Sequence, residues 1–288
     1  MLGICHHETA HFSDAAGDFS ACTLLAPEFA WPYLNRGLAL SAAGRLTEAR
    51  YSYDRALTLS PDFVEALVDR AVTCLELNDP VQAERDLKKA IQLGRNDSLT
   101  LAAHAEALNR SGHPEQAEIE FAEALKVRPN DPRLLAARGI SRIQLNPAGS
   151  SADFRKALDR EPRNVRAHYG MALLLRKDKP QEALAHINRA LDADPSSMDG
   201  LQVRAILLGR MGNPAAAADA DRLARKASAQ NLYNAACALV LLDSSHGNGD
   251  HRILAREYLK RALELGFPLR IAESDPDLES LHLRIIEK

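Results

Sequence analysis

Aromatic residues make up only 5% of this 288-residue chain, and tryptophan occurs once, at Trp31. That scarcity argues against a wide globular core filled by rings. The abundant alanine and leucine favour helices packed at close range instead. The four cysteines, Cys5, Cys22, Cys74 and Cys237, include no CxxC pair. A disulfide framework or zinc ribbon needs paired spacing, so they read as small buried residues in a reducing compartment. No apolar run approaches the ~20 residues of a membrane helix, and the first residues lack the basic start and apolar core of a secretory leader. The expected location is the cytoplasm. A formal net charge of -3 carries no footprint for nucleic acid, which shows as a strongly basic domain. Also missing are a P-loop, a GxGxxG after a strand, a GxSxG elbow and the HRD and DFG signatures of kinases. The chain is therefore read as a non-enzyme with no cofactor.

What is present is a period. Pro27, Pro61, Pro129, Pro162 and Pro195 are spaced by 34, twice 34, 33 and 33 residues, the spacing of a repeat array. Five positions before each slot stands a small residue: Cys22, Ala56, Ala90, Ala124, Ala157, Ala190 and Ala224. Seven positions earlier comes a third column, Ala15, Ala49, Ala83, Ala117, Ser150, Ala183 and Ala217. The clearest repeat runs from Trp31 through Gly37, Gly44, Ala49, Tyr53 and Ala56 to Pro61.

In period and in this order of residues the chain resembles the tetratricopeptide repeat (TPR) family. The resemblance implies an all-α solenoid, a right-handed superhelix of antiparallel helix pairs A and B. About eight repeats are expected, with a C-terminal capping helix. Small residues let helices A and B approach. Phe19, Tyr53, Phe121 and Phe154 fill the gap between them, and Gly44, Gly112 and Gly212 turn A into B. Residues 1–231 hold seven repeats: a truncated first one ending at Pro27, then Ala30–Phe63, Val64–Asp97, Ser98–Asp131, Pro132–Asn164, Val165–Ser197 and Met198–Asn231. The fifth and sixth are one residue short in the A–B turn. Residues 232–288 form an irregular last repeat and cap: a helix A from Asn231, a polar loop from Ser244 to Asp250, a helix B from Arg252 to Leu265, and a short helix from Pro276 to about Ile286. This closing part resembles the terminal repeat of bacterial TPR arrays, some of which are tails of serine/threonine protein kinases. Gly3 aligns with a helix A glycine, so about five residues of the first helix A are missing, and a fragment or tail of a longer bacterial polypeptide is expected.

One enzyme-like motif occurs, His7-Glu8-Thr9-Ala10-His11. In zinc hydrolases H-E-x-x-H puts both rings on one helical face. The repeat frame places Ala10 in a turn, which separates the rings, so zinc is the remote alternative. Arg36, Arg70, Arg138 and Arg204 recur one position before the small residue of helix A, with Asp54, Asp86, Asp153 and Asp221 on helices B. They are either a ladder of ligand-binding arginines or Arg–Asp pairs fixing the A–B register. Bidentate geometry and a position turned from the groove favour the pairs.

The family's binding groove, carried onto this sequence, is lined by Trp31, Leu34 and Asn35. The third repeat adds Glu65, Val68, Asp69, Val72 and Glu76, and the fourth Glu106, Asn109 and Arg110. Arg133 follows in the fifth, Arg166, Tyr169, Arg176 and Lys177 in the sixth, and Arg210 in the seventh. The dicarboxylate clamp of chaperone-tail TPR domains is absent, because Glu65 and Asp69 stand where it needs cations. The third repeat is acidic and the fifth to seventh are basic. The expected partner is a protein or peptide, with an acidic segment over the basic stretch, and neither nucleic acid nor membrane.

Overall fold

The computed structural model describes residues 11–226, 228–246 and 250–281. Among them are sixteen α-helices, one 3-10 helix and no strand. In chain order the helices are α1 (Phe12–Leu25), α2 (Ala30–Ala42), α3 (Leu46–Leu59), α4 (Val64–Glu76), α5 (Pro80–Gln92), α6 (Ser98–Arg110), α7 (Pro114–Val127) and α8 (Pro132–Arg142). There follow α9 (Pro147–Arg160), α10 (Val165–Leu175), α11 (Pro180–Ala193), α12 (Met198–Arg210), α13 (Ala215–Arg225), α14 (Ala229–His246), α15 (Asp250–Glu264) and α16 (Leu269–Ser274), then the 3-10 helix Pro276–Leu281. Two compact units divide between Asn146 and Pro147. In the first, α2 pairs with α3, α4 with α5 and α6 with α7, and successive A helices α2, α4, α6 and α8 lie side by side. In the second, α10 pairs with α11, α12 with α13 and α14 with α15. This is the expected all-α TPR solenoid, seen within each unit.

Local chemistry sets the boundaries. Five B helices, α1, α3, α7, α9 and α11, each end two residues before the proline of their repeat, because proline lacks the N–H that the next turn needs. Side chains cap several helix starts. Asp79, Asp97, Asp131, Asn164 and Ser197 each accept a backbone N–H of the first turn, supplying a partner that the helix cannot. The A–B turns close on a left-handed residue. Gly44, Gly112 and Gly212 have φ of 75°, 86° and 66°. In the third repeat Asn78 does this job at φ 60°, with the Asp79 N–H reaching back to the Cys74 carbonyl at 2.8 Å. Asparagine is among the few non-glycine residues that tolerate the region.

The alanine columns are the core. Ala15, Ala49, Ala83, Ala117, Ser150 and Ala183 are fully buried, as are Ala56, Ala90, Ala124 and Ala157. Between them Tyr53, Phe121 and Phe154 are buried. Tyr53 packs on Gly37 of its own helix A, and Phe154 on Gly170 of the following one.

Several expectations change. Cys22 is exposed, whereas Cys74 and Cys237 are buried; Cys22 lies in the last turn of α1, beyond the buried Ala15, Ala16 and Phe19. In the seventh repeat Ala216, not Ala217, is fully buried. Asn213 accepts the Ala215 N–H at 3.0 Å, and the buried Ala216 follows Ala183 by 33 residues and not 34, so this repeat too is one residue short. The polar stretch expected from Ser244 is helical as far as His246, since α14 continues through it. The closing segment has α16 and the 3-10 helix in place of one helix from Pro276. Its remainder toward Ile286 lies outside the described residues, as do Cys5 and His7–Ala10 of the H-E-x-x-H match; His11 is exposed and immediately precedes α1.

Candidate interaction faces

The recurrent arginine of helix A settles into a structural role. Arg70 on α4 donates Nε and Nη2 to the two oxygens of Asp86, at 2.7 Å each, and Nη1 to Asp54 at 2.8 Å. One side chain thus ties α4 both to its own helix B and to the preceding one. Burial works against the charge, but the hydrogen bonds and charges of Asp86 and Asp54 outweigh it and hold Arg70 firmly protonated. Arg204 repeats the arrangement on Asp219, at 2.7 Å twice, with Asn188 at 3.3 Å on the preceding helix. The partner is Asp219 and not Asp221, which pairs with Arg225 at 2.6 Å; Asp219 lies 15 residues after Arg204, much as Asp86 lies 16 after Arg70, whereas Asp221 lies 17 after it. Arg36 meets Ser20 at 2.9 Å and Ser52 at 3.1 Å rather than an aspartate. His104 fills this column in the fourth repeat, its Nδ1 3.4 Å from Glu120. The 34-residue step from Arg70 to His104 was visible in the sequence.

The side chains expected in the groove fall into two sets, one per compact unit. In the first, Trp31 is 59% exposed and sets its ring edge against Phe63, centroids 4.7 Å apart. Asn35, Asp69 and Asn109 are half-buried, and Arg133 is exposed. Burial, then the charge of Glu65, raises the Asp69 carboxyl to about 6, with Arg95 opposing. Leu34 does not line the surface: at 2% exposure it belongs to the core with Ala15, Phe19 and Tyr53.

In the second unit, Arg166, Tyr169 and Arg176 recur along one side of α10 and its C-cap, with Lys177 next. Both arginines and the lysine are exposed, and Tyr169 is half-buried. Its hydroxyl is raised by burial and by Asp199, against the charge of Arg176. Arg210 is engaged by the chain itself, donating to Asp277 of the 3-10 helix at 3.0 Å. Beside it Asp275 accepts the Tyr233 hydroxyl, Tyr233 stacks on Phe267 at 4.0 Å, and Leu278 and Leu281 are fully buried. The closing segment seats on α14 through these contacts. Sequence spacing held no signal for this return of Asp275 and Asp277 over more than forty residues.

Two histidines of the sixth repeat share a hydrogen bond. His168 Nδ1 is 2.9 Å from His186 Nδ1, and His168 Nε2 is 3.0 Å from the Pro162 carbonyl. A carbonyl only accepts, so His168 donates from Nε2 and its Nδ1 accepts from His186. Both rings sit below the ordinary histidine value. Burial is the main cause for each; the Pro162 carbonyl opposes it at His168, and Arg189 adds to it. At His186 the charges of His168 and Arg189 add, and Glu182 opposes. For bases with lowered folded values, the unfolded chain binds more protons below about pH 6.5. The pair's stabilisation is therefore complete above that pH and is lost as pH falls toward the lowered values. His186→Asn keeps a donor but does not titrate. Its urea midpoint should fall less between pH 7.5 and 5.5 than that of the unaltered chain.

Among the described residues no group of three or more His, Cys, Asp or Glu is placed to hold a metal ion, and no helix is long and apolar enough to cross a membrane. Residues 40–105 and 144–198 each match a family model described as tetratricopeptide repeat. No curated protein matches the chain. Among solved structures, a tetratricopeptide repeat protein from Parabacteroides merdae is 20% identical with a TM-score of 0.63, covering 90% of this chain and 99% of its own. A thermophilic TPR protein of Thermus thermophilus is 26% identical with a TM-score of 0.52, over 62% of this chain and 98% of its own. YrrB, described as a TPR protein with an unusual peptide-binding site, is 21% identical with a TM-score of 0.50, over 66% and 98%. The chain thus carries tetratricopeptide repeats in a TPR fold.

Proposed function

We propose that this chain is a cytoplasmic, non-catalytic scaffold that binds a protein segment along the faces of its A helices, and that the second unit takes an acidic one. TPR arrays are modules for protein–protein contact, because stacking the pairs builds one core and leaves a long surface. The observation that carries the reading is the side of α10, where Arg166, Tyr169 and Arg176 follow one another and Lys177 extends the stretch. A phenol between cations suits a carboxylate-bearing chain laid along the helix. The peptide-binding site ascribed to YrrB supports the same use of the fold. Arg210 is left out, since it holds Asp277. The test is a titration of a Glu-rich amphipathic peptide against the full chain and against Arg166→Glu/Arg176→Glu/Lys177→Glu. Reversal should weaken binding by about tenfold or more; unchanged binding removes the acidic-segment reading.

A further inference from the structure

The first unit presents a face of opposite character. On α4, Glu65, Val68, Asp69, Val72 and Glu76 recur at helical spacing along one side. Val72 is 41% exposed, and Trp31 stands beside the start of the same helix through its contact with Phe63. An exposed valine in the stripe and an exposed tryptophan beside its start are apolar surface that the fold leaves uncovered.

The charges on this stripe are unusual within the unit. Asp54 and Asp86 hold Arg70, Asp62 holds Lys89, and Asp97 holds Arg95. Among the described residues no ion pair holds Glu65, Asp69 or Glu76. Glu65 and Asp69 lie one helical turn apart, where like charges repel. Asp69 is also half-buried, and its carboxyl, raised from 3.8 to about 6, ionises at a cost. A carboxylate raised in the folded state removes stability as pH rises through that interval. The unit therefore keeps at neutral pH a crowded set of anions with no ion pair among the described residues, Asp69 being eased only in part by the charge of Arg95.

We infer that the α4 face of the first unit, with Trp31 at its edge, docks a basic amphipathic segment of a partner protein. Its Lys or Arg side chains pair with Glu65, Asp69 and Glu76, its apolar side chains cover Val68 and Val72, and one cation lies over the Trp31 ring. Charge complementarity selects this occupant, because an acidic segment would add repulsion to a set already unpaired. The inference rests on the A-helix faces being the binding surface, and it assigns the two units partners of opposite charge.

Trp31 is the chain's single tryptophan, so its emission reports this face directly. The probe is an 18-residue peptide of Lys and Leu at helical spacing, titrated into the full chain beside its Glu and Leu counterpart. The Lys peptide should shift Trp31 emission to saturation. In Glu65→Gln/Asp69→Asn/Glu76→Gln its affinity should fall about tenfold or more. The control Glu48→Gln/Glu115→Gln/Glu123→Gln, on exposed B-helix positions, should stay within about twofold. Affinity should rise from pH 5 to pH 7 as Asp69 ionises. The α4 variant should be at least as stable as the unaltered chain in urea, so that lost binding is not lost folding. Equal binding by the α4 variant, or a Trp31 response to the Glu peptide alone, overturns the inference. Should the Glu peptide bind through Arg176 while the Lys peptide does not bind at all, this inference fails and the scaffold reading stands. If neither peptide binds, both fail.

Discussion

Replacing Arg70 with methionine should lower the stability of the first unit by about 3–5 kcal/mol, the usual cost of leaving a buried charge without its partner. Asp86 has only 4% of its side chain exposed and loses both of its short bonds to Arg70. The exposed Asp54, bonded to the same guanidinium, can turn to water. The loss is thus mainly that of one buried carboxylate, left with the Gln82 amide at 3.0 Å and no cation. Adding Asp86→Leu to Arg70→Met should recover at least half of it, since a buried pair is often replaced by apolar groups at little net cost. Urea unfolding followed by circular dichroism, with Trp31 emission marking the first unit, measures both. If Arg70→Met costs under about 1 kcal/mol, as exposed ion pairs do, the arginine is not the link between three helices that its geometry shows.

The second large effect is steric. Phe154 is fully buried and lies against Gly170, where an added Cβ would overlap its ring. Phe154→Ala should cost about 3–5 kcal/mol through lost burial and the cavity left behind. Gly170→Ala adds a better helix former, worth about 1 kcal/mol. It must still be destabilising, by about 1–3 kcal/mol, because the ring has nowhere to move in a packed core. The two changes should not add: in a Phe154→Leu background Gly170→Ala should cost less than alone, a coupling expected of residues in contact. Additive costs in urea titrations of the four proteins would show that ring and glycine do not share one space.

Much of this fold is readable along the chain because the repeat imposes the same physical demand every 33 or 34 residues. Ala49, Ala83 and Ala117 recur because two helices meet there without room for a side chain, and all three are fully buried. Pro61 and Pro129 recur because a helix must stop. Reading fails where one residue replaces another by a different route to the same end. Asn78 turns the chain midway between Gly44 and Gly112, where the repeat has glycine on either side, and His104 occupies an arginine slot. It fails again where two acids lie close together on one helix B, as at Asp219 and Asp221, of which Asp219 meets Arg204 and Asp221 meets Arg225. The proposed interaction faces can be written down as positions from the sequence, yet not as charges available to a partner. Arg210 belongs to the expected groove column and is tied to Asp277, a contact across 67 residues that no local pattern records. Only the folded chain separates it from Glu65 and Asp69, which the fold leaves without an ion pair among the described residues.

These readings meet in one claim, that the A helices carry the binding surface and the B helices carry the structure. Amide hydrogen exchange with and without a bound peptide tests it most directly. With the Lys peptide added, slowed exchange should concentrate on α4 and the start of α2; with the Glu peptide, on α10. The B helices α3, α5, α7 and α11 should be little changed. Protection centred on those B helices, with α4 and α10 exchanging as before, would contradict the account.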